Sequence, residues 1–346
     1  MSVSTDIRNQ ALRYSVYGLA AALHNHLPAL DAALNRALGE FSIKSFPGTS
    51  THHPAEGTIK PYDKAEVLRH LSPSAVAISS SPRDAMELYQ DNERFWLIDD
   101  RWGLTELNLL KGHFRSWILP EPSVDVERII EMAVIWPIAQ LLRGKGLHLL
   151  PAAGLVRAEV GLLILSPFGI EPELTALLRT GFRVVGQRWT ALRDEDGRVT
   201  MLHMPGRVER HPTRRLRSAS AAKAAHPNDA WIDLESEFCG SAVSHGTCTH
   251  VLIIEPGRRP TPMLRQIPKA SALPALRRAW PIAELHPLRA YGQFPAKLSR
   301  RCDVFAARLS QRPQDLLELL DTARGANVTD RDASMQLEKP PTSIAV

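Results

Sequence analysis

Cysteine is scarce in this chain: Cys239, Cys248 and Cys302 are the three among 346 residues. So few cannot build the disulfide framework of a small secreted domain, and they fit a reducing compartment. Nowhere does an apolar run approach the roughly 20 residues that a membrane-spanning helix needs. The stretch MSVSTDIRNQALRYSVYGL has no basic region followed by an apolar core and a small-residue cleavage site. No secretory signal is read there, so a cytoplasmic location without a membrane partner is expected. A strong charge of one sign is missing too. The formal net charge of +5 is modest for this length, which implies a weak pull on anions and gives no reason to expect nucleic acid as a partner.

What is present is the balance of a globular protein, 44% hydrophobic and 23% charged. The length suffices for two ordinary cores, or one large core with a smaller companion. The most informative stretch is EVGLLILSPFGIEPELTALLRTGFRVVGQRW, from Glu159 to Trp189. Gly161 to Leu165 is a short apolar run and Ser-Pro-Phe-Gly punctuates it. Glu171 to Arg179 carries helical spacing, Gly181 stops the helix, and Phe182 to Val185 resumes a buried strand. The pattern is strand, loop, helix, strand, a unit whose first loop normally faces ligand.

This layout, with Gly169 in the turn and Leu-Leu-Arg-Thr-Gly closing the helix, resembles the nucleotide-binding core of HPr kinase/phosphorylase-like proteins. The opening Tyr-x-Val-Tyr-Gly-Leu followed by Leu-Pro-Ala-Leu is similar to that family's N-terminal strand. The resemblance covers about residues 14 to 254. It implies a P-loop kinase-like α/β core with a mixed sheet, preceded by a small α+β region, and a phosphate loop at Ser166, Pro167, Gly169, Ile170 and Glu171. In the family that loop carries lysine and then Ser/Thr, where this chain has Ile170 and Glu171. The second strand ends in two aspartates, where this chain has Gln187 and Arg188. Each departure removes a function: no lysine reaches the β- and γ-phosphates, no hydroxyl ligates magnesium, and a glutamate at the helix start repels phosphate. His148, in Leu-His followed by small residues, is similar in place to a family histidine that opens the strand before the core; the residue itself reads as a structural histidine bonded to backbone.

The rest of the chain organises around this core. Tyr14 to Ala20 and Phe41 to Phe46 read as strands, Leu27 to Leu38 and Tyr62 to Leu71 as helices, and Pro47 to Pro61 as an exposed loop holding His52 and His53. Ala75 to Ser79 is a strand candidate. Phe95–Ile98, Gly103–Leu109 and Phe114–Ile118 form a meander in which Trp96, Trp102 and Trp117 pack. A helix opens with Ser123 as N-cap, buries Val126, Ile129, Ile130, Ala133 and Val134, and must kink or restart at Pro137. Trp189 to Met204 is a hairpin pivoting on Asp196-Gly197. Ala230–Leu234 and Thr249–Ile254 read as strands, and Ala270–Trp280 as a basic helix in which Pro274 is tolerable only near the first turn. Pro295 to Ala323 reads as helical, divided at Arg312-Pro313. These readings give an N-terminal region over 1–119, the kinase-like domain with a helical C-terminal end over 120–324, and a disordered tail over 325–346.

Two further clusters carry possible chemistry. Arg207, Arg210, Arg214, Arg215 and Arg217 fill a proline-broken loop, a solvated segment or a clamp for phosphate or acidic peptide. Cys239, His245, Cys248 and His250 have zinc-type donors in a spacing that matches no common zinc module. The functional expectation is a degenerate relative of the family, without catalytic residues or a resident cofactor, that binds a protein or peptide partner and, as the family often does, forms oligomers. Two alternatives remain open: an ATP- and magnesium-dependent serine kinase with replacement groups, Arg183 or Arg188 for the lysine and Glu171 for the metal hydroxyl, or a zinc-bound structural module.

Overall fold

The chain alternates between segments that fill one face of a sheet and segments that close it. The structure, a computed structural model, describes residues 11–17, 19–42, 55–81, 86–166, 170–195, 197–204, 208–209, 231–232, 234–255, 262–279, 294–309, 316, 318 and 320. Its first half is an eight-stranded sheet. Strand β1 (Leu12–Val16) turns at Tyr17 into β2 (Leu19–Asn25), helix α1 (Asp31–Leu38) follows a 3-10 turn at Pro28–Leu30, and β3 (Ala55–Pro61) returns to the sheet. Helix α2 (Lys64–His70) and strands β4 (Val76–Ser81), β5 (Met86–Asp91), β6 (Arg94–Asp99), β7 (Gly103–Asn108) and β8 (His113–Ile118) complete the order β1-β2-β3-β8-β7-β6-β5-β4.

Three expectations fail here. Tyr14 to Ala20 is a tight hairpin rather than one strand, with Val16 opposite Leu19 and Tyr17 in the left-handed region at φ 48°, where a chain reverses direction. Part of the expected loop 47–61 is β3, parallel to both β2 and β8. Ala55, Gly57 and Ile59 point inward in strict alternation, and Gly57 leaves the room that the ring of Phe114 and a methyl of Leu23 occupy. Phe41 belongs to a 3-10 turn, not a strand. His52 and His53 lie outside the described residues.

Helix α3 (Val126–Ile130) starts two residues later than read, with Asp125 as N-cap accepting from the Arg128 amide at 2.8 Å. It passes into a π segment, Glu131–Ile135, before α4 (Trp136–Arg143). The cause is Pro137, which cannot donate an amide; the chain widens by one residue per turn and the Trp136 amide bonds the Glu131 carbonyl instead. Buried Ile129, Ile130, Ala133 and Val134 join Tyr14, Leu34, Leu107, Trp102 and Trp189 in one core, which crosses residue 120. Trp96 and Trp117 pack on the opposite face of the sheet, under Val67 of α2.

The second half is layered on a six-stranded mixed sheet. Strands β9 (Leu147–Leu150), β10 (Ala153–Arg157) and β11 (Val160–Leu165), helix α5 (Glu171–Arg179) and β12 (Arg183–Gly186) come first. The hairpin β13 (Thr190–Glu195) and β14 (Arg198–Leu202) follows, then the short pair β15 (Val208–Glu209) and β16 (Trp231–Ile232), and α6 (Leu234–Glu237). Strands β17 (His245–Thr247), β18 (His250–Ile254) and β19 (Met263–Gln266), helices α7 (Lys269–Ala279) and α8 (Phe294–Arg301), and β20 (Asp303–Arg308) come last, followed by helical Leu316, Glu318 and Leu320. The six-stranded order is β12-β10-β11-β18-β20-β19, and β17-β14-β13-β9 form a four-stranded sheet packed on it.

Strand β10, absent from the sequence reading, lies antiparallel between β11 and β12, so those two run parallel and α5 crosses over it. Leu162 and Ile164 face α5 while Leu163 and Leu165 face the four-stranded sheet, which is why β11 reads as an unbroken apolar run. The helical C-terminal end is corrected in part: after α8 the chain enters β20, a strand parallel to β18, while Leu316, Glu318 and Leu320 beyond it are helical as read. Val304 to Ala307 is a buried four-residue run, and such a run has no period that separates strand from helix. Helix α7 runs through Pro274 in mid-helix rather than near its first turn, at the loss of one backbone hydrogen bond. The reading for residues 325–346 lies outside the described residues.

Candidate functional site

In a parallel sheet the carboxyl ends of the strands carry the loops that meet ligand. Here that edge collects the loop after β11, Gln187 and Arg188 after β12, Glu255 after β18 and Leu309 after β20. Helix α5 begins at this edge and ends cleanly. Gly181 sits at φ 89°, and the Gly181 and Phe182 amides bond the carbonyls of Leu178 and Leu177, the left-handed stop that glycine permits.

The start of α5 differs from a phosphate cradle in three respects. Ile170 is 5% exposed and packs with Leu174, Leu177 and Phe182, so an apolar side chain fills the place that the resemblance gives to lysine. Glu171 and Glu173 are buried in the first helical turn, and both are engaged within the protein. Carboxylates there take the favourable end of the helix dipole and set their charge against any anion. Pro172, at the second helical position, removes one backbone N–H that would otherwise point at a phosphate. Ser166 directly follows β11 and is partly exposed; Pro167 and Gly169 lie outside the described residues.

The two residues standing for the aspartate pair have structural partners. Gln187 is buried, and its side-chain oxygen accepts from the Leu234 amide at 2.6 Å, tying β12 to α6. Arg188 grips Glu131 of the π segment through both arms, Nε to Oε1 at 2.8 Å and Nη2 to Oε2 at 2.7 Å. Arg128 adds a third bond to Oε2 at 2.7 Å. Burial alone would raise the Glu131 pKa; the charges and hydrogen bonds of Arg188 and Arg128 outweigh it and hold the carboxyl down at about 2.

His148 is buried on β9, with its ring stacked on Phe294 of α8 at 3.8 Å between centroids. Burial first, then the nearby charges of Arg143 and Lys297, push its pKa down to about 3, so it is neutral at ordinary pH. The zinc-type residues are not gathered. Cys239 is exposed, His245 bonds Ser244 at 2.9 Å, and His250 bonds Thr249 at 2.7 Å. Cys248 is buried and donates to the His250 carbonyl at 3.6 Å, and the Cys302 thiol donates to the Cys248 carbonyl at 3.3 Å. Among the described residues no group of three or more His, Cys, Asp or Glu is arranged to hold a metal. Arg207, Arg210, Arg214, Arg215 and Arg217 lie outside the described residues.

One residue at this edge was missed from the sequence. Glu255 follows the apolar run Val-Leu-Ile-Ile of β18, the strand beside β11, and a carboxylate directly after a buried parallel strand is the signal that would have found it. It is already paired, with Arg308 at 2.6 Å and Arg265 at 3.7 Å.

Among the described residues no helix is long and apolar enough to cross a membrane. No family model matches the chain, and no curated protein matches it. Among solved structures it is weakly similar to the Hpr(Ser) kinase/phosphatase from Coxiella burnetii, at 13% identity and a TM-score of 0.32, over 56% of this chain and 99% of that one.

Proposed function

We propose that this protein is a non-catalytic relative of HPr-kinase-like proteins that binds a protein or peptide partner through the carboxyl edge of its six-stranded sheet. The observation that carries the reading is the burial of Ile170 among Leu174, Leu177 and Phe182, where a nucleotide-dependent enzyme needs a cation. Its neighbours support it. The first turn of α5 holds two buried carboxylates, and Gln187, Arg188 and Glu255 are each committed to bonds within the fold. A scaffold of this kind offers a shaped edge without the charges that grip a triphosphate. The partner class follows from the resemblance, whose active members act on a serine of a small protein. The test is transfer of phosphate from labelled ATP with magnesium to protein or peptide acceptors, alongside thermal melting with and without nucleotide. No transfer and no nucleotide-dependent shift is the expected result; transfer to any acceptor contradicts the proposal.

A further inference from the structure

The eight-stranded sheet carries a polar cluster on the face that bears α2, remote in sequence from the β11 loop. Register sets it out in two rows: Thr58, Arg115, Glu106, Trp96 and Tyr89 in one, and Glu56, His113, Asn108, Arg94 and Asp91 in the next. At its centre Glu106, on β7, is 1% exposed. Arg94 Nη2 lies 3.1 Å from Oε1, His70 Nδ1 3.2 Å from Oε2 and Arg115 Nη1 3.9 Å from Oε2. None of these contacts has the geometry of a hydrogen bond, so the carboxylate sits among two guanidinium groups and an imidazole ring rather than being consumed by one of them.

Both guanidinium groups are fixed from below. Arg94 lies over the Trp96 ring at 5.8 Å and Arg115 over Trp117 at 5.7 Å, while Arg115 Nη1 also donates to His70 Nε2 at 2.8 Å. Their side chains remain 42% and 28% exposed, so ordered donors face outward. Stacked, pre-oriented guanidinium forks are the side-chain chemistry that recognises oxyanions. His113, in the second row, has its pKa lowered by burial first; Glu106 opposes this, and Arg115, Lys111 and Arg94 add to it. Acidic residues flank the site: Glu56 is exposed, and Asp91 accepts from the Ser72 hydroxyl at 2.7 Å. They limit the site to a single small anionic group.

We propose that Arg94 and Arg115 form a binding site for one oxyanion, a phosphate or a carboxylate, with Glu106 and the two indole rings as positioning groups. It shares no residue with the β11 loop, so its failure leaves the reading of that loop untouched. The test is calorimetric titration of the full chain, with tryptophan fluorescence as a second readout, using inorganic phosphate in one arm and acetate in the other, against sodium chloride of matched ionic strength. Saturable binding in either arm is expected, and the arm that binds more tightly identifies the source of the anion. Arg94→Gln and Arg115→Gln should each weaken it by about tenfold or more, and Arg94→Lys, which keeps the charge and loses the fork, should fall between. Unchanged melting of Arg94→Gln will show that lost binding is not lost folding. No saturable binding in either arm, or binding that the two glutamine variants leave unchanged, overturns the proposal.

Discussion

Arg188 meets Glu131 through two bonds, of 2.8 and 2.7 Å, and thereby ties the end of β12 to the π segment that packs on the N-terminal sheet. The carboxylate is buried, so removing Arg188 leaves its charge with the single bond from Arg128. Arg188→Ala is expected to destabilise the protein by about 3–5 kcal/mol, read from denaturant midpoints. A loss below about 1 kcal/mol, the range of exposed pairs, would show that Arg188 is free for another task.

The same pair has a pH signature. The Glu131 pKa falls from 4.5 to about 2 on folding, so its stabilisation is complete above pH 4.5 and drains away as pH drops toward 2. The stability gap between the native protein and Glu131→Gln should be constant from neutral pH to about 4.5 and then narrow. A gap that begins to close near neutrality contradicts the assignment.

His148 predicts a second, earlier slope. Its folded pKa is about 3 against an ordinary 6.5, so the unfolded chain takes up a proton that the native chain refuses. Stability is full above pH 6.5 and falls progressively below it, by about 2 kcal/mol at pH 5 at 1.36 kcal/mol per unit. Urea unfolding of the native protein and His148→Phe at pH 7.5 and 5 checks this; the variant should lose about that much of the slope.

How far the sequence discloses these features depends on the residue. The hairpin at Asp196-Gly197 and helix α5 with its Gly181 stop were legible because one local signal decides each. Strands β3, β10 and β20 were not. Ala-Glu-Gly-Thr-Ile, Ala-Gly-Leu-Val-Arg and Val-Phe-Ala-Ala become strands through neighbours distant in the chain, such as Phe114 against Gly57, and propensity is silent on those. Likewise the departures at Ile170 and Arg188 could be read in sequence, whereas the burial of one and the partner of the other could not.

Close packing makes a further prediction at Gly161 on β11. A Cβ there would overlap the backbone carbonyl of Thr247, which cannot swing aside as the end of a side chain can. Gly161→Ala should cost about 2 kcal/mol or more by thermal or chemical melting. An unchanged midpoint would place β17 farther from β11.

Restoring the lysine probes the loop itself. Ile170→Lys puts an ammonium among Leu174, Leu177 and Phe182, and is expected to lose about 2–4 kcal/mol without acquiring affinity for ATP. A variant of native stability that binds nucleotide would mean that the pocket is open and lacks only its charge.

The most direct measurement is a calorimetric titration of the native chain with ATP, with and without magnesium. No saturable heat in either condition is the predicted result, since the residues at the start of α5 supply no cation and two buried carboxylates. Tight, magnesium-dependent binding would contradict the account.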